Sequence, residues 1–239
     1  MQNLPAVGNL YLIPTTLGNT PPLDVLPQSV ANTVENLDEF IVENEKSARA
    51  FIKLLTPDKS QPSLILHTLN KYTEVADYPT FLNACLEGKS VGLLSEAGVP
   101  GIADPGADIV KIAHEKGIRV IPLVGPSSIL MAMMISGMNG QNFAFNGYLP
   151  IDQKERKNAI KRLERISAEQ GQSQIFIETP YRNNKMLEEL CNTLDKHTQI
   201  CVACDISLPS EFILTKAAAQ WKNKMPDLHK RPAIFIIQK

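Results

Sequence analysis

The sequence is poor in cysteine, and its cysteines are far apart. Four occur among 239 residues, which is too few for the disulfide framework of a small secreted domain. Cys201 and Cys204 form a C-x-x-C within QICVACDIS. Because this segment has the pattern of a strand, a spacing of three residues places the two thiols on opposite faces. We therefore expect no metal site.

Long hydrophobic runs are also missing. The uncharged stretch 120–151 is interrupted by prolines, glycines and polar residues, and its continuous apolar core is only 129–135. A membrane-spanning helix needs about 20 predominantly apolar residues. The first nine residues lack lysine and arginine, and the apolar run at 10–13 is too short for a signal peptide. These features predict a cytoplasmic protein without a membrane segment.

A large net charge and the common catalytic motifs are absent too. The formal net charge is −1, so composition gives no indication of nucleic acid or an anionic membrane as a partner. The chain has no G-x-G-x-x-G after its first strand, no G-x-x-x-x-G-K-[ST] and no G-x-S-x-G. The polar residues that remain are mainly carboxylates, hydroxyls and amides. Such a set suits the positioning of a reagent that is already activated.

Strand and helix patterns alternate along the chain. NLYLIPTT, EFIVEN, SLILHTL, SVGLL and IRVIPLV are typical of strands, with helical patterns between them. This alternation predicts a mostly parallel sheet with helices on both faces in residues 1–122. In residues 123–239 the late strand patterns crowd together, which favours a second α/β domain with a mixed sheet. The predicted fold class is therefore α/β with two domains.

Four loops at predicted strand ends are rich in small and polar residues. They are TTLGN, ENEKS, SEAGVPGIADPG and VGPSS. The carboxyl ends of parallel strands meet at one edge of a sheet, where α/β proteins bind their ligands. The third loop, residues 95–106, exceeds the usual ~2–6 residues of such connections, and long ordered loops are often binding loops. We predict a ligand site at this edge.

The order of the motifs resembles that of a known family. LYLIPTTLGN, IVENEK, SEAGVPGIADPG, PLVGPSS, ISGM, FAFNGYLP and IETPYR are similar to the successive signatures of the ribosomal RNA small-subunit methyltransferase I group of the tetrapyrrole methylase superfamily. The resemblance covers nearly the whole chain. It implies two α/β domains that hold S-adenosylmethionine between them, in a homodimer. It also implies methylation of a cytidine ribose 2′-hydroxyl in RNA of the small ribosomal subunit.

The resemblance further implies a set of cofactor-binding residues. SEAGVPGIADPG would wrap the cofactor, with backbone carbonyls facing the sulfonium and glycines permitting close approach. The implied set is Thr15, Ser95, Glu96, Ala97, Gly98, Ile102, Ser127, Ser128, Phe176 and Ile177. Either of the two serines also suits the N-cap of a helix, and the two roles are compatible.

Motifs expected to meet the substrate depart from the family pattern. Where the group has E-D-T-R, this chain has Glu43, Asn44, Glu45 and Lys46, and where it has E-L-T-K, this chain has Asp205, Ile206, Ser207 and Leu208. A lysine in place of arginine loses a planar, five-donor group that suits phosphate. The candidates for assisting deprotonation of a ribose hydroxyl are Glu43, Lys46, Glu178 and Arg182. Each could equally belong to a structural ion pair.

Three functions remain open from the sequence. The first is an RNA ribose methyltransferase, and the second is a methyltransferase for a small molecule such as a tetrapyrrole. The third is a non-catalytic relative that binds the cofactor or RNA. A basic surface near the site would favour the first function over the second, and turnover on any acceptor would exclude the third.

One predicted helix carries a candidate RNA-binding surface. At about 100° per residue, Ala159, Leu163 and Ile166 fall on one side of the segment 154–166 and form its predicted buried stripe. The residues in a single sector on nearly the opposite side are Lys154, Lys157, Lys161 and Arg165. This basic ridge could track an RNA backbone. The alternative is an ordinary solvated helix face.

Overall fold

The computed structural model describes residues 7–239 and divides the chain into two compact units. The first unit ends at Ser127 and the second begins at Ser128, somewhat beyond the boundary at 122 and 123 that the sequence predicts. The turn after residue 122 stays with the first unit, because Leu123 N donates to Leu12 O at 3.0 Å. Within the described residues, no helix combines the length and apolar character needed to cross a bilayer.

The first unit is a five-stranded parallel sheet. Its strands are β1 (Asn9–Ile13), β2 (Glu39–Val42), β3 (Ile65–Thr68), β4 (Val91–Leu94) and β5 (Arg119–Pro122). Its helices are α1 (Gln28–Glu35), α2 (Glu45–Leu55), α3 (Asn83–Leu86) and α4 (Gly106–Glu115), with 3₁₀ segments at Pro22–Asp24 and Val75–Leu82. The strand order is β3-β2-β4-β1-β5, and every pairing is parallel. The predicted parallel sheet is confirmed.

Both faces of this sheet are buried, which explains the continuous apolar runs of its central strands. One hydrophobic cluster includes Leu10 and Ile109, and the other includes Ile13 and Ile52. Because Leu10 and Ile13 lie on the same strand and belong to different clusters, β1 separates two helical layers. Parallel sheets covered on both faces have this sequence character. The strand ends are consequently the places where polar residues of this unit collect.

The second unit is built on a mixed sheet. Its strands are β6 (Phe143–Tyr148), β7 (Ser173–Ile177), β8 (Gln199–Cys204), β9 (Phe212–Ala217) and β10 (Ala233–Gln238). Its helices are α5 (Ser128–Ser136), α6 (Gln153–Gln170), α7 (Asn183–Thr193) and α8 (Ala218–Trp221). The order is β6-β7-β10-β8-β9, in which β6 and β7 are parallel and the other pairs antiparallel. The prediction of a mixed sheet is confirmed.

Helix α6 is well defined at both ends, but its buried face differs from the predicted stripe. The Asp152 carboxylate caps the helix by accepting from Lys154 N and Glu155 N, both at 2.9 Å. The buried residues are Arg156, Ile160, Leu163 and Ser167. The predicted stripe is therefore right at Leu163 and wrong at its two other positions, which are only half-buried. The buried face of α6 is rotated relative to the predicted stripe, since it includes Arg156, a residue type that the prediction placed outside.

The buried arginine of α6 is held by an ion pair with α7. Arg156 Nε donates to Glu189 Oε2 at 2.6 Å, and the two side chains are 6% and 5% exposed. Arg156 NH1 also donates to the carbonyls of Pro150 and Ile151, at 3.1 and 2.6 Å. A single side chain thus ties the start of α6 to the segment before it and to α7. Burial of a charge is tolerated only with such pairing.

Candidate active site

The ends of β1 and β4 are joined by hydrogen bonds around one carbonyl. The Gly98 carbonyl accepts from Thr15 N at 2.9 Å and from the Ser95 hydroxyl at 2.5 Å. The two hydroxyls of Thr15 and Ser95 lie 3.4 Å apart, and both side chains are buried. Two of the four loops predicted to converge therefore do so. Three residues predicted from the sequence meet here.

Gly98 also packs closely against the loop that follows β5. Its φ of +75° lies in the left-handed region, and a Cβ added there would stand 3.0 Å from Pro126 O and 3.1 Å from Leu17 Cδ2. The left-handed φ and the close protein neighbours therefore both favour glycine at this position. The close approach to a cofactor that the resemblance implies stays a prediction. In the same region, a Cβ on Gly125 would stand 2.3 Å from side-chain carbons of Pro14. The loops after β1, β4 and β5 are packed against one another with no room for a methyl group.

Asp104 organises the second half of the long loop, a role that the sequence did not reveal. Its Oδ1 accepts from Gly101 N at 2.7 Å and from Gly106 N at 2.9 Å, at the start of α4. The two glycines let the backbone approach the carboxylate closely. Between them, Ile102 is 53% exposed at the tip of the loop. An aspartate followed by Pro-Gly before a helix is the sequence signal that could have indicated this turn.

Three carboxylates gather at the ends of β2 and β4. Glu43 and Asp104 line one narrow crevice. Burial raises the pKa of Glu43, and the charges of Asp104 and Glu96 raise it further. Burial also raises the pKa of Asp104, against the lowering effect of its two backbone hydrogen bonds. This edge of the sheet is therefore a region of negative potential.

Replacing Glu43 by glutamine is expected to stabilise the protein at neutral pH. A carboxyl whose pKa is raised by folding contributes its stability below the pKa of the unfolded chain and loses it as the pH rises through the folded pKa. Glu43→Gln removes that loss, so its melting temperature at pH 7.5 should exceed the wild-type value by about 1–2 °C. Near pH 4 the difference should vanish. Thermal melts from pH 4 to pH 8 measure it, with exposed Glu87→Gln as the control. A Glu43→Gln protein that melts lower at pH 7.5 would contradict the assignment.

The altered E-D-T-R segment has a structural explanation at its second position. Asn44 Oδ1 accepts from Lys46 N at 2.9 Å and from Ser47 N at 3.3 Å, which makes Asn44 the N-cap of α2. Asparagine and aspartate are both favoured at this position. The Ser47 hydroxyl donates to Glu96 Oε1 at 2.7 Å and so links α2 to the loop after β4. Lys46 itself is exposed in the first turn of the helix.

A cavity of about 220 Å³ opens between α2 and the loops after β1 and β4. Three predicted cofactor-binding residues, Thr15, Ser95 and Glu96, contribute to its lining. The wall from α2 includes the apolar side chains of Phe51 and Leu54. The lining also includes Thr20, whose buried hydroxyl oxygen has no hydrogen-bond partner. A polar floor with an apolar wall and an unused hydroxyl is typical of a small-molecule site.

The predicted site residues of the second unit have clear structural positions. Arg182 NH2 donates to Glu178 Oε1 at 2.5 Å, and the glutamate side chain is 2% exposed. The same oxygen accepts from Thr179 N at 2.6 Å. Phe176 is fully buried and stacks on Phe235 with ring centroids 6.0 Å apart, while its neighbour Ile177 is half-buried. Glu178 and Arg182 thus form the structural ion pair that the sequence analysis gave as the alternative to a catalytic role.

The remaining predicted residues lie near the surface. Ser127 and Ser128 are half-buried at the start of α5, and Ala97 is exposed. The four residues of the basic ridge, Lys154, Lys157, Lys161 and Arg165, are all exposed. Arg165 Nε lies 3.9 Å from Glu169 Oε1. The ridge is therefore accessible along the outer side of α6.

Comparisons with known proteins give a matching family, similar sequences and similar folds. Residues 9–220 match the family described as tetrapyrrole (corrin/porphyrin) methylases. The ribosomal RNA small subunit methyltransferase I of Buchnera aphidicola subsp. Schizaphis graminum is 28% identical over 99% of this chain and 80% of its own length. The crystal structure of the methyltransferase CobJ superposes with a TM-score of 0.65 at 18% identity, covering 97% and 94% of the two chains. The structure of uroporphyrin-III C-methyl transferase from Thermus thermophilus, complexed with S-adenyl homocysteine, superposes with a TM-score of 0.59 at 14% identity. The match covers 97% of this chain and 98% of that one.

Proposed function

The chain belongs to the tetrapyrrole methylase family, and from this membership we propose that it methylates ribosomal RNA of the small subunit. It is a methyltransferase whose methyl donor is S-adenosylmethionine. The observation that carries the RNA substrate is the 28% identity over 99% of the chain to a relative named for that activity. The likeness to the methyltransferase CobJ and to uroporphyrin-III C-methyl transferase is at 18% and 14% identity and concerns the fold. We propose the cytoplasm as the location, since the substrate is ribosomal.

The residues at the sheet edge of the first unit fit the methyl donor. S-adenosylmethionine carries a sulfonium and an ammonium, and a region of negative potential attracts such a cation. The charges of Glu43, Glu96 and Asp104 provide that potential. The cavity beside Thr15 and Ser95 offers hydroxyls and an apolar wall. We propose that the loops after β1, β4 and β5 hold the cofactor, including Ala97, Gly98, Ile102 and Ser127 of the first unit.

The proposed acceptor is the 2′-hydroxyl of a cytidine ribose. The bound cofactor supplies an electrophilic methyl group, and the acceptor oxygen must lose its proton as it attacks. Glu43 is the proposed base, because its raised pKa brings a carboxylate closer to the affinity for protons that this step needs. Lys46, exposed in the first turn of α2, would face a phosphate of the RNA. Glu178 and Arg182 would act together in fixing the turn after β7.

We also propose that the protein acts as a homodimer. The resemblance implies it, and helix α5 offers a suitable surface, since the whole segment SILMAMMIS between its two serines is apolar. Met134 is 80% exposed and Ile135 is 44% exposed on this helix. Exposed apolar side chains grouped on one helix are typical of a protein–protein contact.

The proposed function predicts methyl transfer from tritiated S-adenosylmethionine to small ribosomal subunits that lack the modification, with the label mapping to a cytidine ribose. Calorimetry should show cofactor binding that is unaffected by a chelator.

The triple variant Lys154→Glu, Lys157→Glu, Lys161→Glu should keep cofactor affinity but lose RNA affinity. Its RNA affinity should also depend less steeply on log salt, because lysine–phosphate contacts act by counterion release.

The matched control is Lys89→Glu, Lys111→Glu, Lys196→Glu, three exposed lysines whose replacement changes the net charge equally. RNA affinity and salt dependence that are equal in both triple variants would show that the ridge is only solvated. Cofactor binding with transfer to a tetrapyrrole and none to ribosomal RNA would replace the proposed substrate. Absence of cofactor binding at millimolar concentration would refute the proposal as a whole.

A further inference from the structure

Two exposed tyrosines lie at the same edge of the second sheet. Tyr148 is the last residue of β6 and pairs in parallel register with Ile177, the last residue of β7. Tyr181 follows in the turn after β7. The two side chains are 60% and 69% exposed. Because parallel neighbours end at one edge, both tyrosines lie at the same end of this sheet.

A neighbouring segment adds two basic side chains to Tyr181. Strand β10 runs antiparallel to β7 and begins at this edge, where Ile234 pairs with Ile177. His229, just before that strand, stands edge-on to the Tyr181 ring, with centroids 6.0 Å apart and planes at 75°. Lys230 Nζ lies 5.9 Å from the centroid of the same ring. Tyr181, His229 and Lys230 form what we term the tyrosine platform.

The platform is held by backbone and polar contacts that leave the tyrosine ring exposed. Lys230 N donates to Pro180 O at 3.0 Å, and the lysine has a left-handed φ of +59°. Asp227 Oδ1 accepts from His229 N at 3.0 Å and from Asn184 Nδ2 at 2.9 Å. A non-glycine residue in the left-handed region is strained and persists where its surroundings fix it. The ring and its basic neighbours are therefore positioned before any partner arrives.

Two buried carboxylates near the platform are paired with arginines. Glu178 is paired with Arg182 at 2.5 Å, and Asp205 is paired with Arg231 at 2.8 Å. Asp227 is exposed, and its Oδ1 accepts from His229 N and Asn184 Nδ2. An accessible aromatic face with lysine and histidine beside it suits an unpaired nucleobase and its phosphate, since bases stack on tyrosine and cations contact the backbone.

We propose that the tyrosine platform binds an unpaired nucleotide of the RNA substrate by stacking its base on Tyr181, with Tyr148 as a second stacking surface at the same edge. The inference rests on the proposed RNA methylation and extends it, because it names single-stranded RNA and a contact surface outside the cofactor loops. Stacking is worth about 1–3 kcal/mol per base and tolerates any sequence. The platform therefore supplies affinity for unpaired RNA, and the choice of nucleotide is made elsewhere.

The test compares Tyr181→Ala, Tyr181→Phe and Phe143→Ala for binding to a short single-stranded RNA and to the same sequence closed in a duplex. Tyr181→Ala should weaken binding to the single strand by about 5- to 100-fold, and Tyr181→Phe should bind like the wild type. Phe143 is a matched control, because it is 37% exposed at the opposite end of β6. Tyr181→Ala and Tyr181→Phe should keep the wild-type melting temperature, and all three variants should keep the wild-type cofactor affinity.

The outcomes separate the inference from the proposed function. If Tyr181→Ala binds and methylates RNA like a wild-type protein that is active, the platform has no role in RNA binding and the proposed function stands. If Tyr181→Ala becomes monomeric in sedimentation while the wild type is dimeric, the surface is a contact between copies and the inference is wrong. If the wild type neither binds nor methylates RNA, the proposed function itself fails.

Discussion

Replacing Arg156 by methionine is expected to lower the free energy of unfolding of the second unit by about 3–5 kcal/mol. The change leaves the carboxylate of Glu189 buried without its cation, and one oxygen of that carboxylate already lacks a partner. It also removes donors from the carbonyls of Pro150 and Ile151. Urea titration followed by fluorescence of Trp221 measures the effect, since this single tryptophan is fully buried in the same unit.

Two further variants test whether the unpaired charge is the cause. Arg156→Met combined with Glu189→Leu should recover most of the lost stability, because replacing a buried ion pair as a whole by apolar residues is often neutral. Arg165→Met removes an exposed arginine 3.9 Å from Glu169 on the same helix and should cost less than about 1 kcal/mol. A double variant no more stable than Arg156→Met alone would mean that packing, and not charge, accounts for the loss.

Replacing Gly98 by alanine is expected to reduce methyl transfer by about 100-fold, the scale of loss that a shift of about 1 Å at an active site produces. The added Cβ would stand 3.0 Å from Pro126 O, so the loop after β4 must move relative to the loop after β5. The carbonyl that accepts from Thr15 N and the Ser95 hydroxyl moves with it. Single-turnover kinetics with saturating RNA, together with cofactor calorimetry, measure the change.

Gly117→Ala is the matched control for Gly98→Ala. Gly117 has a φ of +69°, and a Cβ added there would meet nothing within 4 Å. Both variants should therefore lose about 1–3 kcal/mol of stability from the left-handed backbone, but only Gly98→Ala should lose activity and cofactor affinity beyond that. Equal activity of the two variants would show that the close packing at Gly98 has no bearing on the site.

The sequence predicts the parts of this protein that depend on local periodicity. The alternation of strand and helix patterns indicated the parallel sheet, and strand-end positions placed Thr15 and Ser95 at one edge, where their hydroxyls lie 3.4 Å apart. The crowded late strands indicated the mixed sheet. These predictions are right because the burial of each helix or strand is reflected in the spacing of apolar residues within that same segment.

The features that the sequence missed depend on partners distant along the chain. Arg156 is buried because of Glu189, 33 positions away, and a helical wheel treats any arginine as exposed. Gly98 is required by Pro126, which strand and turn patterns cannot indicate. The segment YPTFLNACLEGK, residues 78–89, has the pattern of one helix closed by Gly88. The chain instead forms a 3₁₀ segment at Val75–Leu82 and then α3. Pro79 lies inside that segment, where its missing N–H weakens an α-helix.

The position of β1 determines how the first unit can assemble. This strand is the first described in the chain, yet its two neighbours are β4 and β5, so its pairings join Leu10 to Val91 and Val120. Contacts between such distant segments require large loops to close before any stabilisation is gained, which slows folding. During synthesis β1 must therefore wait until most of the unit has left the ribosome. The antiparallel neighbours β8 and β9 need only a short connection, so this pair can form as soon as β9 has left the ribosome.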